Sequence, residues 1–192
     1  MELNFFVSKL IFNQKDFLFC QLQWGHKKLV ASSFLNLHIL GFKNDFAIFN
    51  TEHLLEYLKR CLLFSFKAIF NNGCLFFLNI CDSYKKINTF FCLKSLQVLS
   101  SNKWVNGTFT NNSFEMPLVL LTVMLNNNII KEAFKKLILV ISFEDSSFSF
   151  SKSSFPILGN DSSKKSVYFF YTFFSSFLLK CFLLKYLKGN GY

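Results

Sequence analysis

The chain has 192 residues, 52% of them hydrophobic and 19% aromatic, which suits one domain with a real core and argues against disorder. A formal charge of +10, from 21 Lys and Arg against 11 Asp and Glu, directs the surface toward polyanions, either nucleic acid or an anionic membrane face. The six cysteines form no Cys-x-x-Cys pair and read as buried reduced thiols in a non-oxidising compartment.

In chain order, residues 1–14 read as an N-terminal extension. They lack the basic start and long apolar run of a secretory signal and the Arg-rich character of a presequence, so a protein working in an organelle would be made there. The 29 Phe beside 7 Gly and 2 Pro fit drift toward adenine- and thymine-rich codons, which organelle genomes commonly show. Residues 15–187 read as the domain and 188–192 as a tail. The pattern predicts a short helix over 15–23, leading to a turn at Gly25-His26. Strands follow at 37–40 and 46–49, with a turn over 41–45. Leu54, Leu58, Cys61, Leu62, Ser65, Phe66 and Ile69 recur at helical spacing, and Asn71-Asn72-Gly73 ends that helix. A buried strand over 74–80, a helix over 83–93, a strand over 118–124, a helix over 128–136 and a strand over 137–143 continue the alternation. Residues 146–154 are a Ser-rich loop, and a long helix follows Asp161. Strands separated by helices imply parallel crossover units. Residues 167–187 are mostly apolar, but the longest uncharged run, 166–179, is shorter than the roughly 18 to 20 residues of a membrane span. A buried helix is expected there.

Three islands recur at family-like spacing. The first holds Trp24-Gly25-His26, then Gly41-Phe42-Lys43-Asn44 and Ile48-Phe49-Asn50-Thr51-Glu52. The second is Lys103-Trp104-Val105-Asn106-Gly107-Thr108-Phe109-Thr110-Asn111, and the third is Pro156-Ile157-Leu158-Gly159-Asn160-Asp161. Lys131-Glu132-Ala133 and Asp145 fall at matching intervals before the last. In these segments the chain resembles ribosomal protein S-two of the small subunit. The resemblance implies a flavodoxin-like three-layer α/β/α fold with a parallel sheet of about five strands. It also implies a place on the solvent side of the small subunit, near the junction of head and body and the messenger exit. One departure is large: bacterial-type members carry a long helical hairpin after the Thr-Asn of the second island, whereas here Asn111 reaches Pro117 almost at once. The family's Asn-Pro after the Gly-His turn is replaced by Ser32-Ser33, and its Gly-Thr-Lys after the third strand by Asn79-Ile80-Cys81.

Each motif has a plain and a functional reading. The basic doublets Lys27-Lys28, Lys59-Arg60, Lys85-Lys86, Lys135-Lys136 and Lys164-Lys165 read singly as solvated element ends, and together favour a polyanion. His26 has no metal-ligand spacing around it, so no metal is expected; in the family-like reading Gly25 permits a tight turn while His26 fixes it or touches RNA. Lys43-Asn44 is either a simple turn or a phosphate and ribose contact. Trp104 is either a core aromatic or a base-stacking platform beside Lys103. Gly159-Asn160-Asp161 reads as a turn and helix cap, with Asp161 accepting from the first helical amides, or as a phosphate site at a helix start.

No Gly-x-Gly-x-x-Gly, Walker loop, Gly-x-Ser-x-Gly or acid pair beside a histidine is present, and no cofactor or small-molecule substrate is expected. The expectation is a non-catalytic component of the mitochondrial small ribosomal subunit. Its partners would be small-subunit ribosomal RNA and neighbouring ribosomal proteins, and its RNA-binding residues Trp24, Gly25, His26, Lys27, Lys28, Lys43, Asn44, Lys103, Trp104 and Asn111. The alternatives are a flavodoxin-like nucleotide-binding protein, with Asn79-Ile80-Cys81 and Met124-Leu125-Asn126 as poor phosphate turns, and a basic membrane-associated protein.

Overall fold

The structure, a computed structural model, describes residues 14–78, 84–99, 104–111, 118–123, 127–146 and 153–189. A short helix, α1 (Gln14–Phe19), leads into strands β1 (Trp24–Lys27), β2 (Ile39–Lys43) and β3 (Phe46–Phe49), which pair antiparallel in the order β1-β3-β2. Asn44 and Asp45 join β2 to β3 with φ of 49° and 66°, the left-handed pair that a two-residue hairpin turn requires.

Three expectations shift here. Gly25-His26 lies in an extended strand, not in a turn. Leu37 and His38 belong to a 3-10 helix, Ser33–His38, and the strand expected there runs instead from Ile39 to Lys43. The expected five-residue turn shrinks to Asn44-Asp45 because Gly41, Phe42 and Lys43 pair with Ile48, Ala47 and Phe46. Extending the ladder satisfies backbone groups that a wide turn would leave to solvent.

Helix α2 (Thr51–Phe70) starts at Asn50, whose side chain accepts from the Glu52 amide at 3.0 Å, with Glu52 in the favourable first turn. Its buried stripe is Leu54, Leu58, Cys61, Leu62, Ser65 and Ile69, the residues the helical spacing picks out; Phe66 is only half-buried and stacks on Phe70 at 4.2 Å. Then come β4 (Cys74–Phe77), α3 (Lys85–Ser95), β5 (Val98–Leu99), β6 (Leu118–Val123), α4 (Asn127–Lys135), β7 (Leu139–Glu144), β8 (Phe155–Leu158) and α5 (Lys164–Gly189). The second sheet is wholly parallel in the order β5-β4-β6-β7-β8. Numbered among themselves these strands run 2-1-3-4-5, the flavodoxin order. The chain is a flavodoxin-like α/β protein whose parallel sheet has five strands. Two of the strands read from the sequence, at 37–40 and 46–49, belong instead to the antiparallel sheet, and β5 and β8 complete the parallel one.

Alternation along the strands sorts the two faces. Leu75, Phe77, Val119, Leu121, Ile141, Phe143 and Ile157 meet α2, α3 and α5 in the larger core. Phe76, Leu78, Leu120 and Val140 meet Ile129 and Ala133 of α4, with Phe109 and Trp104, on the other face. Helix α5 turns Val167, Phe170, Tyr171, Phe174, Phe177, Leu178 and Cys181 into the larger core, none more than 4% exposed. Lys164–Leu187 is long and apolar enough to cross a membrane. Within this fold, drawing that stripe away from the sheet would cost on the order of 10 kcal/mol, at about 1.5 to 3 kcal/mol for each large side chain. Lys103 and segments 79–81, 112–117 and 124–126 lie outside the described residues, so the expectations placed on them do too. The six residues between Asn111 and Leu118 leave no length for a helical hairpin.

Candidate nucleic-acid interface

At the carboxyl end of β7 the residues Glu144, Asp145 and Ser146 are buried, and β1 is laid against them. The His26 amide donates to Asp145 Oδ1 at 3.0 Å and to Ser146 Oγ at 2.8 Å. The His26 ring brings Nδ1 to 2.9 Å from Asp145 Oδ2. The Ser146 amide also donates to Asp145 Oδ1, and the Ser32 amide to the Ser146 carbonyl at 2.8 Å. Gly25 allows this approach, since a Cβ there would stand 2.8 Å from Ser146 Oγ and 3.1 Å from Asp145 Oδ1. Its role is close packing of one strand on the end of another.

The third island lies beside the first. Gly159 donates its amide to the Glu144 carbonyl at 2.9 Å. The helix-start expectation is corrected in its detail: Asn160 Oδ1, not Asp161, accepts from the amides of Ser162 and Ser163, at 3.1 and 3.0 Å. The Asp161 carboxylate turns inward instead, accepts from Ser162 Oγ at 3.2 Å and is 6% exposed. Burial, and then the nearby charge of Asp145, push its pKa up to about 6, with His26 pulling the other way. The donor atoms of His26, Asp145 and Asp161 all lie within 4.8 Å of one another. An imidazole and two carboxylates at that separation are a donor set that a zinc-like divalent cation accepts. Sequence spacing gives no hint of it, because the pairing of His26 with Asp145 spans 119 positions.

The basic residues flank this site. Lys27, Lys28 and Lys43 are exposed, and both Lys27 and Lys43 stand opposite Phe46 in the ladder. Lys27 Nζ lies 5.9 Å from the Phe46 ring centre and Lys28 Nζ 5.5 Å from that of Phe42, with these rings 40% and 42% exposed. Exposed Asn44 tips the hairpin. A lysine row interleaved with exposed aromatics is what a phosphate backbone with accessible bases would meet. Trp24 is half-buried and, with Phe46, lines a cavity of about 590 Å³ between β1 and Asn160. The sequence singles out the lysines but not Phe42 and Phe46, since exposure of a strand aromatic depends on which face the register turns outward.

The second island sits in the other layer. Glu132 of α4 accepts the Gly107 amide at 2.6 Å and the Phe109 amide at 3.1 Å, and Gly107 adopts φ of +96°. Trp104 is half-buried and packs against the smaller core, so the core reading describes its ring. Asn111 is exposed, its amide donating to the Gly107 carbonyl at 2.9 Å. Glu132→Ala is expected to cost about 2 kcal/mol, the scale for losing a charged acceptor, and to speed hydrogen exchange at the Gly107 and Phe109 amides selectively. Unchanged exchange at those two amides would refute the clamp. The chain matches no protein-family model and no curated protein.

Proposed function

We propose that the chain is a non-catalytic component of the mitochondrial small ribosomal subunit, similar to ribosomal protein S-two, that binds ribosomal RNA and neighbouring ribosomal proteins. The observation that carries this reading is convergence. Segments on which the resemblance rests, and which lie more than a hundred residues apart, meet at one place: Gly25-His26 on Asp145, beside Gly159-Asn160-Asp161. The second island is held to Lys131-Glu132-Ala133 in the same manner. A charge of +10 and the lysine and phenylalanine row on the hairpin supply the electrostatic half of the argument. The place on the solvent side of the subunit, near the messenger exit, belongs to the same proposal.

Fractionation tests it. Cosedimentation with particles of small-subunit size from mitochondrial lysate is the expected result; a soluble monomer or a membrane pellet would reject it. Replacing Lys27, Lys28 and Lys43 together by Ala is expected to weaken RNA association and flatten its salt dependence. The log-log slope should fall by about 0.7 to 0.9 for each phosphate no longer neutralised. An unchanged slope would make these lysines ordinary solvated surface.

A further inference from the structure

We propose that the cavity between β1 and the carboxyl ends of β7 and β8 receives one unstacked nucleotide of a single-stranded RNA, with its base against Trp24 and Phe46 and its phosphate on Lys27. The proposal rests on the RNA-binding reading above and gives it a mode of recognition.

The cavity measures about 590 Å³, within the range of pockets that hold one small group; a paired base would first have to be unstacked and unpaired, at a free-energy cost that favours a single strand. Two of its walls are aromatic, Trp24 and Phe46, and Val30 adds an apolar edge. Stacking on such walls is tolerant of base identity. Lys27 also lines the cavity, its ammonium 5.9 Å from the Phe46 ring centre, so a phosphate held there leaves its own base within reach of that ring. The floor is polar, formed by His26, Asp145, Asn160 and Ser162. The His26 ring, its Nδ1 2.9 Å from Asp145 Oδ2, belongs to this floor and presents imidazole nitrogen to a base edge. Asn160 spends Oδ1 on two amides and offers Nδ2, whose one hydrogen bond among the described residues is a 3.4 Å contact with the Gln21 carbonyl, as a donor.

A peptide strand is the other occupant a site beside an edge strand attracts. The outer edge of β1 is already occupied, because the His26 amide is bonded to Asp145 and Ser146. An added strand along β1 would find that amide already engaged.

The test uses the full chain carrying Trp104→Phe, which leaves Trp24 as the sole tryptophan, with a short unstructured oligoribonucleotide and its duplex as probes. Saturable quenching of Trp24 emission by the single strand and not by the duplex is expected. Phe46→Ala, at an exposed ring, should weaken single-strand binding roughly 5- to 100-fold, the scale of one missing stack, without changing the salt slope. Lys27→Ala should lower that slope by about 0.7. RNA binding with Trp24 emission unmoved and Phe46→Ala neutral would overturn the pocket while leaving the RNA-binding reading standing. Failure of both probes to bind at low salt would remove that reading and the pocket with it. Quenching by an aromatic peptide but not by RNA would overturn the proposal in favour of protein docking.

Discussion

Replacing Gly159 by Ala is expected to destabilise the protein by about 2 to 3 kcal/mol, at the upper end of what overpacking a core costs. A Cβ at this position would stand 2.6 Å from Phe143 Cε2 and 2.7 Å from its Cζ. The ring cannot swing aside, since Phe143 is 1% exposed and stacked on Phe170 with centres 4.6 Å apart. Backbone movement is costly too, because the Gly159 amide is tied to the Glu144 carbonyl. For a chain of this length that destabilisation corresponds to a fall in Tm of roughly 5 to 10 °C. The companion variant makes the cause visible: Phe143→Leu should cost stability alone yet recover part of the deficit when combined with Gly159→Ala. Strict additivity of the two would show that the glycine is not needed for this approach.

Acidification from pH 7.5 to 5 is expected to stabilise the fold through Asp161. Its carboxyl is raised from an ordinary 3.8 to about 6, first by burial and then by Asp145, so between those values the folded chain holds more proton than the unfolded one. Stability from this group is therefore fully present below pH 4 and is lost as pH rises through 6. The span of the shift corresponds to about 3 kcal/mol at most. Asp161→Asn should remove this component, gaining stability at pH 7.5 and flattening the profile between pH 4 and 7 relative to the parent. Urea midpoints across that range provide the measurement. A parent and variant whose difference is constant with pH would contradict the assignment. Binding of a divalent cation by His26, Asp145 and Asp161 would reverse the sign by holding both carboxylates ionised.

The α/β alternation is legible in the sequence because long elements carry their period openly. The stripe of α2 recurs often enough to declare a helix, and β6 and β7 are mostly apolar, interrupted by Thr122 in one and by Ser142 and Glu144 in the other, as a sheet buried on both faces favours. Short elements are not. Val98–Leu99 has two residues and no period to read, and Phe155–Leu158 contains Pro156 and follows a serine-rich stretch, so it looks like a turn. Pro156 is tolerated there because β8 is an edge strand. Trp24–Lys27 looks like a turn because its glycine suggests one, when the glycine serves close approach. The site is legible only in its parts: the lysines and the Gly-His pair stand out locally, whereas the carboxylates that meet His26 come from the far end of the chain. Asn160 and Asp161 show the finer limit, since neighbouring residues of similar capping ability differ only in which one the fold turns inward.

The attachment of β1 to the end of β7 also sets a timetable. The antiparallel sheet over residues 24–49 is made early, but Asp145 and Ser146, which receive the His26 amide, follow 119 and 120 residues later. At common elongation speeds of about 5 to 20 residues per second, that is a delay on the order of 6 to 24 seconds. Throughout it, the hairpin has hydrogen-bonding edges and exposed aromatics with nothing to rest on, a state prone to pairing with other chains. The exposed lysines beside Phe42 and Phe46 discourage such pairing by mutual repulsion, so the charge carried on this hairpin guards the nascent chain before β7 arrives.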